Sequence, residues 1–429
     1  MSEDRQMKKN LFNEDAMSLD TYIMVKLKEK TAQLRDKLTQ KSRAPISLSM
    51  GAPTANPPQV LIEKLKEFLT EDNIHTYSVT RGEPYFRQAI VERMKNRFGV
   101  DLDADKEVFS LLGSKDGLAN LIRFIITPTT EVKEKDIILI SPTGSGILIP
   151  DPGYASYSQM VKCSGGMSYP IPLTAENNYQ PDLEEVYQNL IRDGFNPDKI
   201  KAMIINYPNN PLGVSATREY IKSVLDFCRK YDILLMSDAA YCDIYFDEKE
   251  KPFSVLEFDG AKDIAVEFFS LSKPYAITGW RLGWLCGNSD VITRFAKAKS
   301  TIDNGIFKAL QKACACIMNS AEGDEYIAQG NINYKRKQSI VVKGLRELGW
   351  EIDDAQLPTA TFYLWLPIPR KYKESYKFCE DMLEKSGIVI VPGSAFGKYG
   401  EGFFRLSFVC SDEKLQEVID RMKADGFRY

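Results

Sequence analysis

The order of apolar and polar positions divides the chain into two regimes. From about residue 58, short apolar runs at 108–112, 137–140, 202–205, 233–236, 264–269 and 282–286 alternate with segments at 117–126, 183–192, 217–229 and 291–299. In the latter, apolar residues recur at helical spacing. Short continuous apolar runs suit strands buried on both faces. Their alternation with helices predicts an α/β domain around a mostly parallel central sheet. After about residue 315 the pattern changes to one long helix over 324–348, then strands at 361–366 and 403–408 flanked by helices. That pattern predicts a smaller α+β domain. Residues 1–45 are polar with one amphipathic stretch over 22–38, an arm leading into the fold. The division predicted is 1–57 for the arm and part of the small domain, 58–314 for the large domain, and 315–429 for the small C-terminal domain.

Residues 128–153 carry two apolar runs, 137–140 and 147–149, separated by Ser141-Pro142-Thr143-Gly144-Ser145-Gly146. The Gly144/Gly146 pair lacks the third glycine and the following helix of a dinucleotide fingerprint. A turn between two strands is expected instead.

Composition narrows the chemistry. A chain of 429 residues is long enough for two domains and a large core. Its net charge of −3, without basic blocks, speaks against a nucleic-acid binder. No apolar run reaches the ~18 residues that span a bilayer. Residues 1–10 are charged and lack the apolar core of a secretory signal, so a cytoplasmic protein is expected. The eight cysteines form no CxxC pair and read as reduced, mostly buried thiols. His75 is the only histidine. A His-ligated zinc site and a Ser-His-Asp triad both need an imidazole in a set place, so neither they nor any metal is expected. Lysine, tyrosine, carboxylates or a cofactor must then carry any acid–base chemistry.

In open α/β sheets ligands gather at the carboxyl ends of the strands. After 108–112 comes Gly113-Ser114-Lys115-Asp116-Gly117, small residues opening a helix, where backbone N–H groups can meet an anion. After 202–205 comes Asn206 and then Asn209-Asn210-Pro211-Leu212-Gly213. After 233–236 comes Asp238 with Tyr241 three residues on; an aspartate ending an apolar strand needs a cationic or donor partner. After 264–269 comes Ser270-Leu271-Ser272-Lys273, then Gly279-Trp280-Arg281-Leu282-Gly283. An anion nest, an amide, an acid with a tyrosine, and a lysine with an arginine are together what pyridoxal 5′-phosphate (PLP) requires. Lysine forms the imine, the aspartate pairs with the pyridinium nitrogen, asparagine and tyrosine donate to the phenolic oxygen, and arginine and the nest bind phosphate.

At these residues the chain resembles the fold-type I, class I/II aminotransferases. The resemblance runs from about residue 45 to the end. It implies a large PLP-binding domain and a small domain, and it places the catalytic lysine on Lys273 and the pyridine-binding acid on Asp238. It places the phenolic-oxygen partners on Asn210 and Tyr241, and the phosphate ligands on Ser114, Lys115 (backbone), Ser270 and Arg281. In Pro152-Gly153-Tyr154-Ala155-Ser156-Tyr157 the ring-stacking aromatic falls on Tyr154. In Gly400-Glu401-Gly402-Phe403-Phe404-Arg405 the arginine that grips the substrate α-carboxylate falls on Arg405. The resemblance also places Gly51 and Asn210 beside the substrate, and offers Lys115 and Tyr154 as candidates for its distal end. Tyr77-Ser78-Val79-Thr80-Arg81-Gly82 resembles the segment whose tyrosine crosses a homodimer to the partner's phosphate, and Asp303-Asn304-Gly305 resembles a second cross-subunit loop.

The segments 113–117, 302–307, 358–365 and 392–397 are similar to bacterial LL-diaminopimelate aminotransferases and their alanine- or aspartate-preferring relatives. Two places depart from them. Ser49-Met50-Gly51-Ala52-Pro53 stands where an acidic Gly-Asp-Pro form is expected, and the 128–150 region is longer than usual. The implied reaction is ping-pong transfer of an amino group from an L-amino acid to a 2-oxo acid such as 2-oxoglutarate. The same fold hosts lyases, decarboxylases and acyltransferases, and Arg405 with the full motif set favours transamination over these. A PLP-binding regulator would carry a DNA-binding domain, for which residues 1–45 are too short.

Overall fold

A computed structural model describes residues 23–40, 42–128, 131–134, 137–140 and 144–429. The amphipathic arm forms the helix Ile23–Gln40, whose Leu34 and Leu38 pack against Leu383 and Val389. Lys30 on the same helix pairs with Glu380 and Glu384. Residues 1–22, which begin the predicted arm, lie outside the described residues.

The strands follow in chain order as β1 (Ile46–Ser47), β2 (Val108–Leu111), β3 (Glu131–Glu134), β4 (Ile137–Ile140), β5 (Gly146–Asp151), β6 (Met167–Pro172) and β7 (Ile200–Ile205). After these come β8 (Leu234–Asp238), β9 (Ala265–Ser270) and β10 (Gly283–Gly287). Seven of them make one sheet in the order β2-β10-β9-β8-β7-β5-β6. All neighbours from β9 to β6 pair in parallel, and β10 lies antiparallel between β9 and β2. One expectation is corrected here. The apolar run 137–140 is a strand, but β4 pairs with β3 in a separate antiparallel hairpin, and the strand that enters the main sheet is β5. An apolar run specifies extended backbone without specifying which sheet receives it. Residues 141–143 of the predicted turn lie outside the described residues.

Both faces of the sheet are covered, which explains why β2, β5 and β8 read as apolar runs rather than alternations. On one side the helices Ser114–Ile125, Ser156–Cys163 and Ser289–Lys299 contribute Leu118, Leu121, Ile122, Tyr157, Val161, Ile292 and Phe295 to a core. On the other, Pro84–Phe98, Leu183–Arg192 and Arg218–Lys230 contribute Phe86, Ile90, Tyr187, Ile221 and Val224. Side-chain caps fix several helix starts: Asp182 accepts from Glu184 N and Glu185 N, Thr217 from Tyr220 N, and Asn288 from Val291 N.

The helix Ala321–Glu347 begins the second unit. Its sheet holds β11 (Tyr363–Pro367), β13 (Val391–Pro392) and β14 (Phe403–Ser407), antiparallel in the order β11-β14-β13, while β12 (Ile388–Val389) pairs in parallel with β1. The N-terminal segment therefore completes the small unit, and its Ile46 and Leu48 enter a core with Leu345, Phe362, Phe378, Phe404 and Ile419. The helix Lys308–Met318 runs across residue 314, and its Ala309, Ala313, Cys314 and Ile317 belong to the large unit's core.

Candidate active site

The carboxyl ends of β2, β8 and β9 open into one cavity of about 400 Å³, closed on the far side by residues of β11, β14 and the loop between β13 and β14. Ser114, Lys115, Tyr154, Asn210, Asp238, Tyr241, Ser270, Lys273, Arg281, Arg405 and Gly51 all line it. Tyr77 is the exception among the predicted site residues. It stands 82% exposed, away from the cavity of its own chain.

Lys273 sits three residues past the end of β9, and its Nζ donates to the carbonyl of Gly51. Burial, helped by the nearby charges of Arg405 and Arg281, lowers its pKa to about 8 against the pull of Asp238. Asp238 is the last residue of β8 and is buried. Tyr157 Oη donates to its Oδ2 at 2.7 Å and Ala240 N to its Oδ1 at 3.3 Å. Burial outweighs these bonds and pushes the Asp238 pKa up to about 6. Tyr241 shares a 2.7 Å hydrogen bond with Tyr363, and Lys273 Nζ lies 5.6 Å from its ring centroid.

Gly113, with φ of 82°, turns the chain from β2 into the helix Ser114–Ile125, whose first turn takes no side-chain cap. A Cβ on Gly113 would lie 2.5 Å from Arg281 Nη2, so glycine lets this turn lie against the guanidinium. Arg281, itself at φ of 59°, donates to Thr278 O at 2.8 Å and to Leu112 O at 3.3 Å. Uncapped amides, the Ser270 hydroxyl and a fixed guanidinium form an anion cradle.

Arg405, in mid-β14, is only 5% exposed. Nη1 donates to Asn210 Oδ1 at 2.7 Å and Nη2 to Ser49 O at 2.6 Å, with the rings of Tyr363 and Phe396 at 4.3 and 4.8 Å. Its Nε is buried without a hydrogen-bond partner among the described residues, an unmet donor. Lys115 Nζ lies 5.8 Å from the Tyr154 ring, and Tyr154 meets Tyr157 edge-on at 5.5 Å.

Several neighbours have no counterpart among the predicted site residues. Tyr157 stood inside the quoted 152–157 segment without a role, and its partner Asp238 is 81 positions away. Tyr363, Phe396 and Asn206 line the cavity as well; Asn206 Nδ2 donates to the Asp238 carbonyl at 2.7 Å. Among the described residues no cluster of His, Cys, Asp or Glu could hold a metal, and no helix is long and apolar enough to cross a membrane.

A lysine whose pKa is lowered to about 8, a buried acid, and an anion cradle fit an aldehyde, a pyridine nitrogen and a phosphate on one ring. The fold and site define a PLP-dependent transaminase. Residues 43–422 match the family described as aminotransferase class I and II, and the chain belongs to that family. Its sequence is 39% identical over 406 residues to the LL-diaminopimelate aminotransferase of Moorella thermoacetica, covering 94% of this chain and 96% of that one. It is 38% identical to the LL-diaminopimelate aminotransferase of Halothermothrix orenii, covering 90% and 92%. Among solved structures, substrate-bound BacF of Bacillus subtilis superposes with a TM-score of 0.85 at 27% identity, covering 97% and 98%. A Thermus thermophilus aspartate aminotransferase variant shares the fold with a TM-score of 0.84 at 22% identity.

Proposed function

We propose that this transaminase takes LL-diaminopimelate or an acidic amino acid as donor and 2-oxoglutarate as acceptor. The observation that carries the reading is the convergence of Arg405, with its unmet Nε, and Lys273 on one cavity. Arg405 is placed to grip an α-carboxylate as a planar fork, leaving the α-carbon toward Lys273. Neutral Lys273 takes the α-proton and returns it to the other side of the transferred nitrogen. Charged Asp238, fixed by Tyr157, would hold a ring N–H, and Asn210 and Tyr241 would donate to the ring oxygen. Ser114, the Lys115 amide, Ser270 and Arg281 would bind phosphate, and Tyr154 would cover the ring. PLP, when bound, would supply the electron-accepting ring that amino-group transfer requires. Gly51 limits the far wall, where a Cβ would strike the Tyr363 hydroxyl. Lys115 is the cation at the distal end and suits a distal carboxylate.

The same reading includes a homodimer in which Tyr77 reaches the site of a second copy. Tyr77, Val79, Ile302 and Phe307 are large exposed apolar residues on adjoining loops, since Gly305 abuts the carbonyl of Val79. The division into 1–57, 58–314 and 315–429, and a cytoplasmic setting, belong to this proposal too. A donor panel of LL-diaminopimelate, L-aspartate, L-glutamate and L-alanine against 2-oxoglutarate tests the substrate, with Lys115→Ala beside the wild type. Loss confined to acidic and diamino donors supports it; unchanged relative rates on alanine and aspartate contradict it.

A further inference from the structure

We propose that Asp151 is a positioning residue. Its carboxylate latches the small-unit loop 393–400 to the segment bearing Tyr154, and so sets Arg405 relative to the cofactor-facing wall. Asp151 ends β5 and is 9% exposed. Its Oδ2 accepts from Lys398 N at 3.1 Å and its Oδ1 from Tyr399 N at 3.0 Å. In the opposite sense, Gly153 N donates to Phe396 O at 2.8 Å. Three hydrogen bonds thus tie two adjoining segments, one from each side of the cavity.

The loop is shaped for this contact. Gly397 has φ of 134°, and a Cβ there would lie 2.1 Å from Asp151 Oδ1, so glycine answers both the backbone conformation and the approaching carboxylate. Gly393 and Gly400 close the loop on itself, where a Cβ on Gly393 would lie 1.9 Å from the Gly400 carbonyl. The latch has a functional residue on each flank. Pro152 and Gly153 lead to Tyr154; Phe396 stacks on the Arg405 guanidinium, and Val391 pairs with Arg405 across the sheet. A shift of the loop therefore moves Phe396 and the strand register next to Arg405, while Lys273, Asp238 and the anion cradle stay on the large unit. An asparagine could accept one of the two amides but would turn its own NH₂ toward the other. A carboxylate satisfies both at once.

This inference rests on the reading of Arg405 as the carboxylate grip. The test uses the holoenzyme with L-glutamate and L-aspartate as donors, comparing Asp151→Asn, Gly397→Ala, the double variant and Arg405→Lys. Each single latch variant should raise donor KM about tenfold, the loss expected for a charge-assisted hydrogen bond, with a smaller fall in kcat. PLP affinity, titrated into the apoprotein, should change less than about twofold, a cut-off set well below that tenfold loss. Hydrogen exchange at 397–400 should quicken in both single variants, and the double variant should be no worse than either, because both break one contact. Unchanged donor KM in Asp151→Asn beside an impaired Arg405→Lys overturns the latch. So does a parallel fall of KM performance, PLP affinity and thermal stability, which marks general loosening. An Arg405→Lys enzyme with unaltered donor KM overturns the latch and the underlying reading together.

Discussion

At the scale of single residues, the site works by opposing pKa shifts on two groups that face one cavity. Lys273 falls to about 8 and Asp238 rises to about 6, both through burial. Only the neutral amine attacks an aldehyde, so PLP capture by the apoprotein should accelerate as pH rises through about 8 and level off above it. Arg405→Met removes a cation that depresses this pKa, so the same profile should move to higher pH in stopped-flow absorbance. Asp238→Asn leaves the ring nitrogen without its charged partner; about 3–5 kcal/mol from a broken buried pair corresponds to roughly two to four decades in single-turnover rate. Asp238, which ends β8, and Lys273, three residues past β9, were legible in the sequence because each stands at the carboxyl end of an apolar strand, where a charge has to be explained. Tyr157 was not, because its meaning depends on Asp238, 81 positions downstream, and helical periodicity marks it only as a core aromatic.

At the scale of elements, the junction of β2 with the helix Ser114–Ile125 decides whether phosphate is held. Gly113→Ala would place a methyl group 2.5 Å from Arg281 Nη2 at a positive φ. At φ of 82° and ψ of 159° the backbone is in a region essentially restricted to glycine, so the strain alone costs on the order of 1–3 kcal/mol, and displacement of the guanidinium adds to it. PLP dissociation, followed by equilibrium dialysis, should weaken at least about fivefold, while the Tm of the apoprotein changes little. The strands β2, β7, β8, β9 and β10 were legible because burial on both faces leaves an unbroken apolar signature. β6 carried a weaker signal: it is the edge strand and contains Pro170 and Pro172, residues that a central strand excludes. β4 misled for the opposite reason, since its pattern suits the main sheet but its pairing is with β3.

At the scale of the whole molecule, the large unit supplies the lysine, the acid and the anion cradle, and the small unit supplies Arg405 and Phe396. Neither makes the cavity alone. The exposed Tyr77, Val79, Ile302 and Phe307 extend the account to a second copy. Light scattering at micromolar concentration should give a dimer, and Phe307→Glu together with Val79→Glu should shift it toward monomer with loss of turnover; a fully active monomer contradicts shared sites. Two-unit organisation was legible as a change of apolar pattern, whereas the pairing of β1 with β12 was not, because β1 is only two residues long and its partner lies near the other end of the chain. The central claim is that amino-group transfer runs through Lys273. Borohydride reduction of the purified holoenzyme followed by peptide mass mapping addresses it most directly. Reduction should fix the cofactor on Lys273, prior addition of L-glutamate should abolish that fixation while releasing 2-oxoglutarate, and Lys273→Ala should show neither. Fixation on a different lysine, or full turnover in Lys273→Ala, would contradict the account.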